Sequence, residues 1–202
     1  MATGESNSTT DEAVAVALAA GGWACVDAFL VDALWRSLAD DCRKLRDRGE
    51  LVPAGVGREH VHDAALRGDA TRWLEPGTSA AQDALFARFE SLRDTLNRTA
   101  YLGLVDAEAH FAHYRPGARY ARHRDRFRDD DRRVVSLACY LNDDWDAARD
   151  GGALRLYDAA GIAHDIAPVG GRAVVFLSAE IEHEVLPATR DRFSVAAWLK
   201  RR

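Results

Sequence analysis

Three side chains in this chain stand at spacings that could hold a redox metal. His123 and Asp125 are two residues apart in an alternating stretch that reads as a β-strand, so both point to one face. A His-x-Asp pair is common and by itself says little. His183 adds weight, because it lies in a late strand just after the apolar run Ala173 to Leu177. In a closed barrel, an early and a late strand can meet inside. Two imidazoles and one carboxylate would then take one face of an octahedron and leave three positions open, the set that holds Fe(II) for dioxygen chemistry. Two of those positions suit the 2-oxo acid end of 2-oxoglutarate, and the third suits dioxygen. The distal carboxylate of that cosubstrate would need a buried cation, preferably a bidentate one. Arg192, beyond the turn at 187–191 on the strand after His183, can point into the same cavity. The other histidines invite plainer readings. His60 and His62 fall in a polar loop, His164 borders a turn, and His110 and His113 are three apart on a strand, so they face opposite sides.

The elements that must position these groups come in two blocks. Residues 1–11 are small and polar and predict a disordered start. A short helix closes at Gly21 and Gly22, residues 23–30 read as a strand, and Asp32 can cap a helix carrying Leu34, Trp35, Leu38 and Leu45. From 51 to 77 the pattern dissolves into a loop that contains Arg67, Gly68, Asp69 and Trp73; its length favours a binding or lid role. A third helix runs over about 80–97. After Tyr101 the period drops to two, with strands expected at 107–114, 119–125, 133–142, 153–157, 163–167, 172–178, 182–186 and 192–200. Turn residues at 115–117, 150–152, 168–171 and 187–191 separate them. Short strands with no helix between them imply an antiparallel jelly roll, and helices first with strands after imply an α+β fold. The expected organisation is a tail at 1–11, a helical support region at 12–103 with its loop at 51–77, and a jelly-roll core at 104–202.

Composition narrows the class. The 202 residues carry 27 Lys and Arg against 32 Asp and Glu, a net charge of −5, with 48% hydrophobic residues, enough for a core. The longest uncharged run, Ala13 to Val26, is too short and too rich in Ala and Gly to span a bilayer. Glu5, Asp11 and Glu12 stand where a secretory signal would be positive. Cys25, Cys42 and Cys139 are odd in number and widely spaced, which predicts buried thiols in a reducing compartment, hence a cytoplasmic protein. Arg115 to Arg133 holds eight arginines and four aspartates, a net of +4 beside the candidate iron site and suited to seating a substrate.

Residues 108–200 resemble the 2-oxoglutarate/Fe(II) oxygenases, specifically the prolyl-hydroxylase-domain branch. The matching pieces are Tyr120-x-x-His123-x-Asp125, Tyr140 to Asp146, Gly151 to Arg155, His183 to Pro187, and Arg192, joined upstream by Arg67-Gly68-Asp69 and Trp73. Val56-Gly57-Arg58 and Arg126 to Arg133 bring the likeness closer to the bacterial members that act on elongation factor Tu. The resemblance implies a double-stranded β-helix with supporting N-terminal helices, and an enzyme that hydroxylates a prolyl residue of a protein. It further implies Fe(II) on His123, Asp125 and His183, with dioxygen as oxidant and ascorbate as a supporting reductant. Arg192 would hold the 2-oxoglutarate carboxylate, Tyr140 would hydrogen-bond it, and Tyr114 would sit near the metal end, although the loop before His123 is shorter than in the animal enzymes. Leu154, Val185 and Trp198 would line the pocket. Arg67, Asp69, Trp73 and Arg133 would contact the substrate. Two rivals fit the same site less well: a nucleic-acid dealkylating oxygenase, disfavoured by the acidic total charge and the scarcity of aromatic residues among the arginines, and a non-catalytic sensor of oxygen or 2-oxoglutarate.

Overall fold

The computed structural model describes residues 2–55, 63, 65–126 and 131–202; Val56 to Arg58, His60, His62 and Phe127 lie outside them. Among the described residues, eleven strands form two antiparallel sheets. The major sheet runs β1 (Trp23–Val26), β9 (Ala173–Leu177), β6 (Arg133–Tyr140), β11 (Arg192–Lys200), β4 (Asp106–Tyr114), β3 (Asp69–Trp73) and β2 (Val52–Pro53). The minor sheet runs β5 (Tyr120–His123), β10 (Glu182–Val185), β7 (Leu154–Tyr157) and β8 (Ala163–Ile166). This is an α+β double-stranded β-helix.

Strict alternation in the central strands divides the labour. Phe193, Val195, Ala197 and Leu199 of β11, Ala109 and Phe111 of β4, and Val135, Leu137 and Cys139 of β6 pack outward against helices α1 (Ala2–Gly21), α2 (Asp32–Asp47) and α3 (Ala80–Ala100). The intervening residues point inward. Tyr114, Tyr140, Val174 and Phe176 of the major sheet pack there with Leu154, Leu156 and Val185 of the minor sheet. Each strand thus builds a helix-facing core and a barrel interior at once.

The N-terminal region departs from its expected form in several places; β1 ends at Val26, short of the expected 30, and the expected loop also holds β2. Helix α1 begins at Ala2, where a disordered tail was expected. Asp11 is fully buried and pairs with both terminal nitrogens of Arg88 on α3, at 3.0 and 2.6 Å, while the Ser91 hydroxyl donates to it at 3.0 Å. Asp32 is not the cap of α2. Val31 holds that position, and the Asp32 carboxylate accepts from the Trp35 indole at 3.1 Å. The segment 69–73, expected within a loop, is strand β3, paired with β4 from Asp69↔Tyr114 to Trp73↔His110. Cys25, expected buried, is exposed, whereas Cys42 and Cys139 are buried, and burial pushes both of their thiols up to about 12.

The Asp11–Arg88 pair carries a testable consequence. Asp11→Ala should cost about 3–5 kcal/mol, because a buried guanidinium loses its counter-charge. A lowered midpoint in urea unfolding measures this; an unchanged midpoint would mean that α1 is not held by the pair.

Candidate active site

His123 and His183 are direct cross-strand partners in the β5–β10 ladder, so both imidazoles project to the same side of the minor sheet. Asp125 lies two residues past His123, just beyond the end of β5. Its Oδ1 is 3.5 Å from His123 Nε2 and 3.6 Å from His183 Nε2, and one ligand atom from each residue falls within 4.8 Å of the others. Both rings are set by their far nitrogens: Nδ1–H of His123 donates to the Ala121 carbonyl at 2.7 Å, and that of His183 to the Ile181 carbonyl at 3.3 Å. The Nε2 lone pairs are therefore free to bind a metal. Trp198 donates its indole N–H to Asp125 Oδ2 at 2.9 Å, fixing the carboxylate's second oxygen. Burial alone would raise the Asp125 pKa, but His183, His123 and a hydrogen bond from Ser136 hold it well below the usual range. Burial pushes the His183 pKa down to about 4 against the opposing pull of Asp125. An ionised carboxylate and a neutral imidazole are the forms a metal needs.

On the facing sheet, β11 turns Arg192, Ser194 and Trp198 inward. Arg192 is 2% exposed, and among the described residues no carboxylate lies within ion-pair distance of it. Its Nε donates to the Gly152 carbonyl at 2.9 Å and one terminal nitrogen to Ser194 Oγ at 3.3 Å. Its guanidinium lies 5.2 Å from the rings of both Tyr114 and Tyr140. The Tyr140 hydroxyl is the one buried side-chain polar atom without a hydrogen-bond partner among the described residues. A buried cation without a counter-ion beside an orphaned hydroxyl fits a ligand carboxylate, which would satisfy both. The residues present thus fit Fe(II) and 2-oxoglutarate.

These groups border a cavity of about 910 Å³ that reaches from the triad to Arg192, with Tyr114, Leu154, Val185 and Trp198 in its wall and Tyr140 packed behind it. Ala112, Ala138 and Ala196 keep its floor low. Gly152 shapes the Arg192 end. Its φ is +68°, and a Cβ there would come within 2.9 Å of Ala188 Cβ and 3.0 Å of the Trp145 ring. Gly152→Ala should therefore destabilise the fold by about 1–3 kcal/mol and weaken 2-oxoglutarate binding by shifting the carbonyl that orients Arg192. Denaturant midpoints and a cosubstrate titration of one variant read both effects.

The residues expected to meet substrate occupy the mouth of the same cavity, several of them already paired. Arg67 and Asp69 form a bidentate ion pair at 2.7 and 3.1 Å, with Arg67 also over the Tyr120 ring. Arg133 pairs with Glu108 at 2.8 Å and lies 3.7 Å over the Trp198 ring, so it buttresses the indole that holds Asp125. Trp73 is 52% exposed at the rim. His110, for which the sequence suggested no site role, lines the cavity. Strand parity set it opposite to His113 but did not tell what it faces.

Comparison with known proteins gives this geometry a lineage. The chain is 47% identical to a prolyl-4-hydroxylase of Pseudomonas putida, covering 95% of this chain and 99% of that one with a TM-score of 0.88. The chain belongs to the 2-oxoglutarate/Fe(II) oxygenase superfamily. The superfamily's sequence model matches residues 109–200, the segment that holds the triad and Arg192. A prolyl hydroxylase from Trichoplax adhaerens, solved with a hypoxia-inducible-factor peptide fragment, superposes with a TM-score of 0.90 at 25% identity over 97% of this chain and 91% of that one. The hypoxia-inducible factor prolyl hydroxylase of Caenorhabditis elegans is 31% identical over 191 residues, 88% of this chain but 26% of the longer relative. Membership in this superfamily implies Fe(II), 2-oxoglutarate and dioxygen. No helix among the described residues is long and apolar enough to cross a membrane.

Proposed function

We propose that this oxygenase hydroxylates a prolyl residue of a protein in the cytoplasm, and that elongation factor Tu is that protein. The observation that carries the reading is the counter-ion-free Arg192 at one end of a cavity, with the unpartnered Tyr140 hydroxyl packed behind it, and the His123–Asp125–His183 triad at the other end. The near-full-length likeness to the Pseudomonas putida and Trichoplax prolyl hydroxylases supports proline as the residue oxidised.

The chain's own residues hold and orient. His123, Asp125 and His183 would bind iron, Trp198 and the Ala121 and Ile181 carbonyls would fix those ligands, and Arg192, Ser194 and Tyr140 would seat the distal carboxylate of 2-oxoglutarate. When bound, these groups and dioxygen supply the oxidising power that converts a prolyl C–H to C–OH, with succinate and carbon dioxide as coproducts. Leu154, Val185 and Phe176 keep the chamber walls apolar, which shields the reacting centre from water. Arg115, exposed and without an ion pair among the described residues, and its basic neighbours offer a surface to carboxylates on the partner.

The test is incubation of the protein with Fe(II), 2-oxoglutarate, ascorbate and purified elongation factor Tu, read by peptide mass spectrometry. An added oxygen, about 16 Da, on a proline, with matching succinate, is the expected result. Arg115→Glu should raise KM for the protein substrate, and the wild-type KM should rise with salt as exposed charges are screened. Succinate formation indifferent to the protein, with no modified proline, would overturn the reading.

A further inference from the structure

One wall of the cavity carries a polar group that neither the triad nor the cosubstrate site uses. His110 sits on β4, opposite Trp73 of β3 on one side and Ala196 of β11 on the other. Its ring is 5.1 Å from that of Trp73 and 5.3 Å from that of Trp198. Trp198 in turn holds Asp125, so His110 stands one side chain away from the metal's carboxylate, between it and the rim.

The ring's protonation pattern is defined. Nδ1 is 3.0 Å from the Phe111 carbonyl, which can only accept, so Nδ1 carries the hydrogen and Nε2 the lone pair. His110 is 4% exposed, and its Nε2, unlike the sealed Tyr140 hydroxyl, is open to the cavity and has no hydrogen-bond partner among the described residues. Burial pushes its pKa down to about 4, ahead of the opposing influence of Asp69, so the imidazole is neutral in any ordinary buffer. A neutral acceptor held in a half-apolar wall calls for a donor from the ligand.

We propose that His110 is a substrate-positioning residue whose Nε2 accepts a hydrogen bond from a main-chain N–H of the segment that carries the target proline. This rests on the reading above that the substrate is a polypeptide. Proline has no N–H of its own, so a neighbouring amide is the nearest donor a peptide can offer. Trp73 and Trp198 flank the acceptor with flat apolar faces against which a pyrrolidine ring can pack. The cluster thus supplies apolar contact on both sides and one directional bond between them, which fixes how deep the chain sits relative to the triad.

The experiment compares wild type, His110→Met and His110→Gln with purified elongation factor Tu as the probe. Met keeps the bulk and removes the acceptor; Gln returns an acceptor near the Nε2 position. Binding is measured by calorimetry with Mn(II) in place of Fe(II), and turnover by proline oxidation and by succinate released without the protein. His110→Met should raise KM and Kd for elongation factor Tu by roughly 3- to 10-fold, the span of one net hydrogen bond. Protein-independent succinate release and 2-oxoglutarate affinity should stay level, and His110→Gln should restore most of the loss. Equal KM and Kd for wild type and the Met variant, or a Gln variant as impaired as Met, would overturn the proposal and leave His110 a packing residue. A wild type that fails to oxidise elongation factor Tu would instead overturn the substrate reading, and the proposed donor with it.

Discussion

His183→Ala is expected to abolish proline oxidation and to weaken Fe(II) binding by more than about 100-fold. The site has three ligand atoms converging within 4.8 Å, and two of them cannot hold a divalent ion in competition with water. Asp125→Ala should be as severe, since it removes the only anionic ligand and leaves the Trp198 indole without its acceptor. Trp198→Phe, which keeps every ligand but frees the carboxylate to rotate, should cost less, about 10- to 100-fold in metal affinity. His164→Ala is the control. That ring pairs with Asp158 at 2.8 Å and lies tilted against Trp23, with no part in the cavity wall. Metal titration of the free protein and succinate formation check the order. Full activity in either ligand variant would sink the site.

Arg192→Ala should raise the 2-oxoglutarate requirement by at least about 100-fold, because a carboxylate entering this buried end would meet no cation. Tyr140→Phe should cost only about 5-fold, the value of roughly 1 kcal/mol for one hydrogen bond. The two changes should also part in stability. In the free protein the Tyr140 hydroxyl is buried without a partner, so replacing it with Phe relieves a desolvation cost and should leave the midpoint unchanged or higher. Arg192→Ala loses its bonds to the Gly152 carbonyl and Ser194 and opens space beside Tyr114, so the midpoint should fall. A Tyr140→Phe protein that is both less stable and worse at cosubstrate binding than Arg192→Ala would reverse the polarity assigned to this pocket.

Most of the barrel can be read from residue order because its strands alternate. All eight strands expected after Tyr101 form, with ends within about two residues; β4, β6, β9 and β11 set one face against the helix-side core and the other inward, while the minor-sheet strands turn one face inward and the other to solvent. Strand β3 was hidden. Asp69-Ala-Thr-Arg-Trp73 has little apolar alternation, and it is a strand because β4 offers it an edge and because Asp69 is buried against Arg67. The start of α1 was hidden for a similar reason. Asp11 looks like a solvent residue until Arg88, 77 positions away, is placed beside it. The convergence of His123, Asp125 and His183 and the inward turn of Arg192 could be anticipated from residue types and strand spacing. His110 could not, since alternation gives orientation and only the folded neighbours give surroundings. The second role of Arg133 was hidden in the same way: sequence suggested a substrate contact, and only the fold sets its guanidinium over the Trp198 ring.

The division of β11 between two faces sets what kinds of genetic change this protein can survive. Arg192, Ser194, Ala196 and Trp198 serve the chamber, and Phe193, Val195, Ala197 and Leu199 serve the helix-facing core. Losing or gaining a single codon early in 192–200 would exchange the two sets for the remainder of the strand, turning the Trp198 indole toward the helices and branched hydrocarbon toward the triad. A substitution changes one position on one face, whereas such a shift changes both faces at once. Away from the site residues, side-chain identity along β4, β6 and β11 can therefore drift more readily than strand length, and insertions or deletions are tolerated best in the connections between strands.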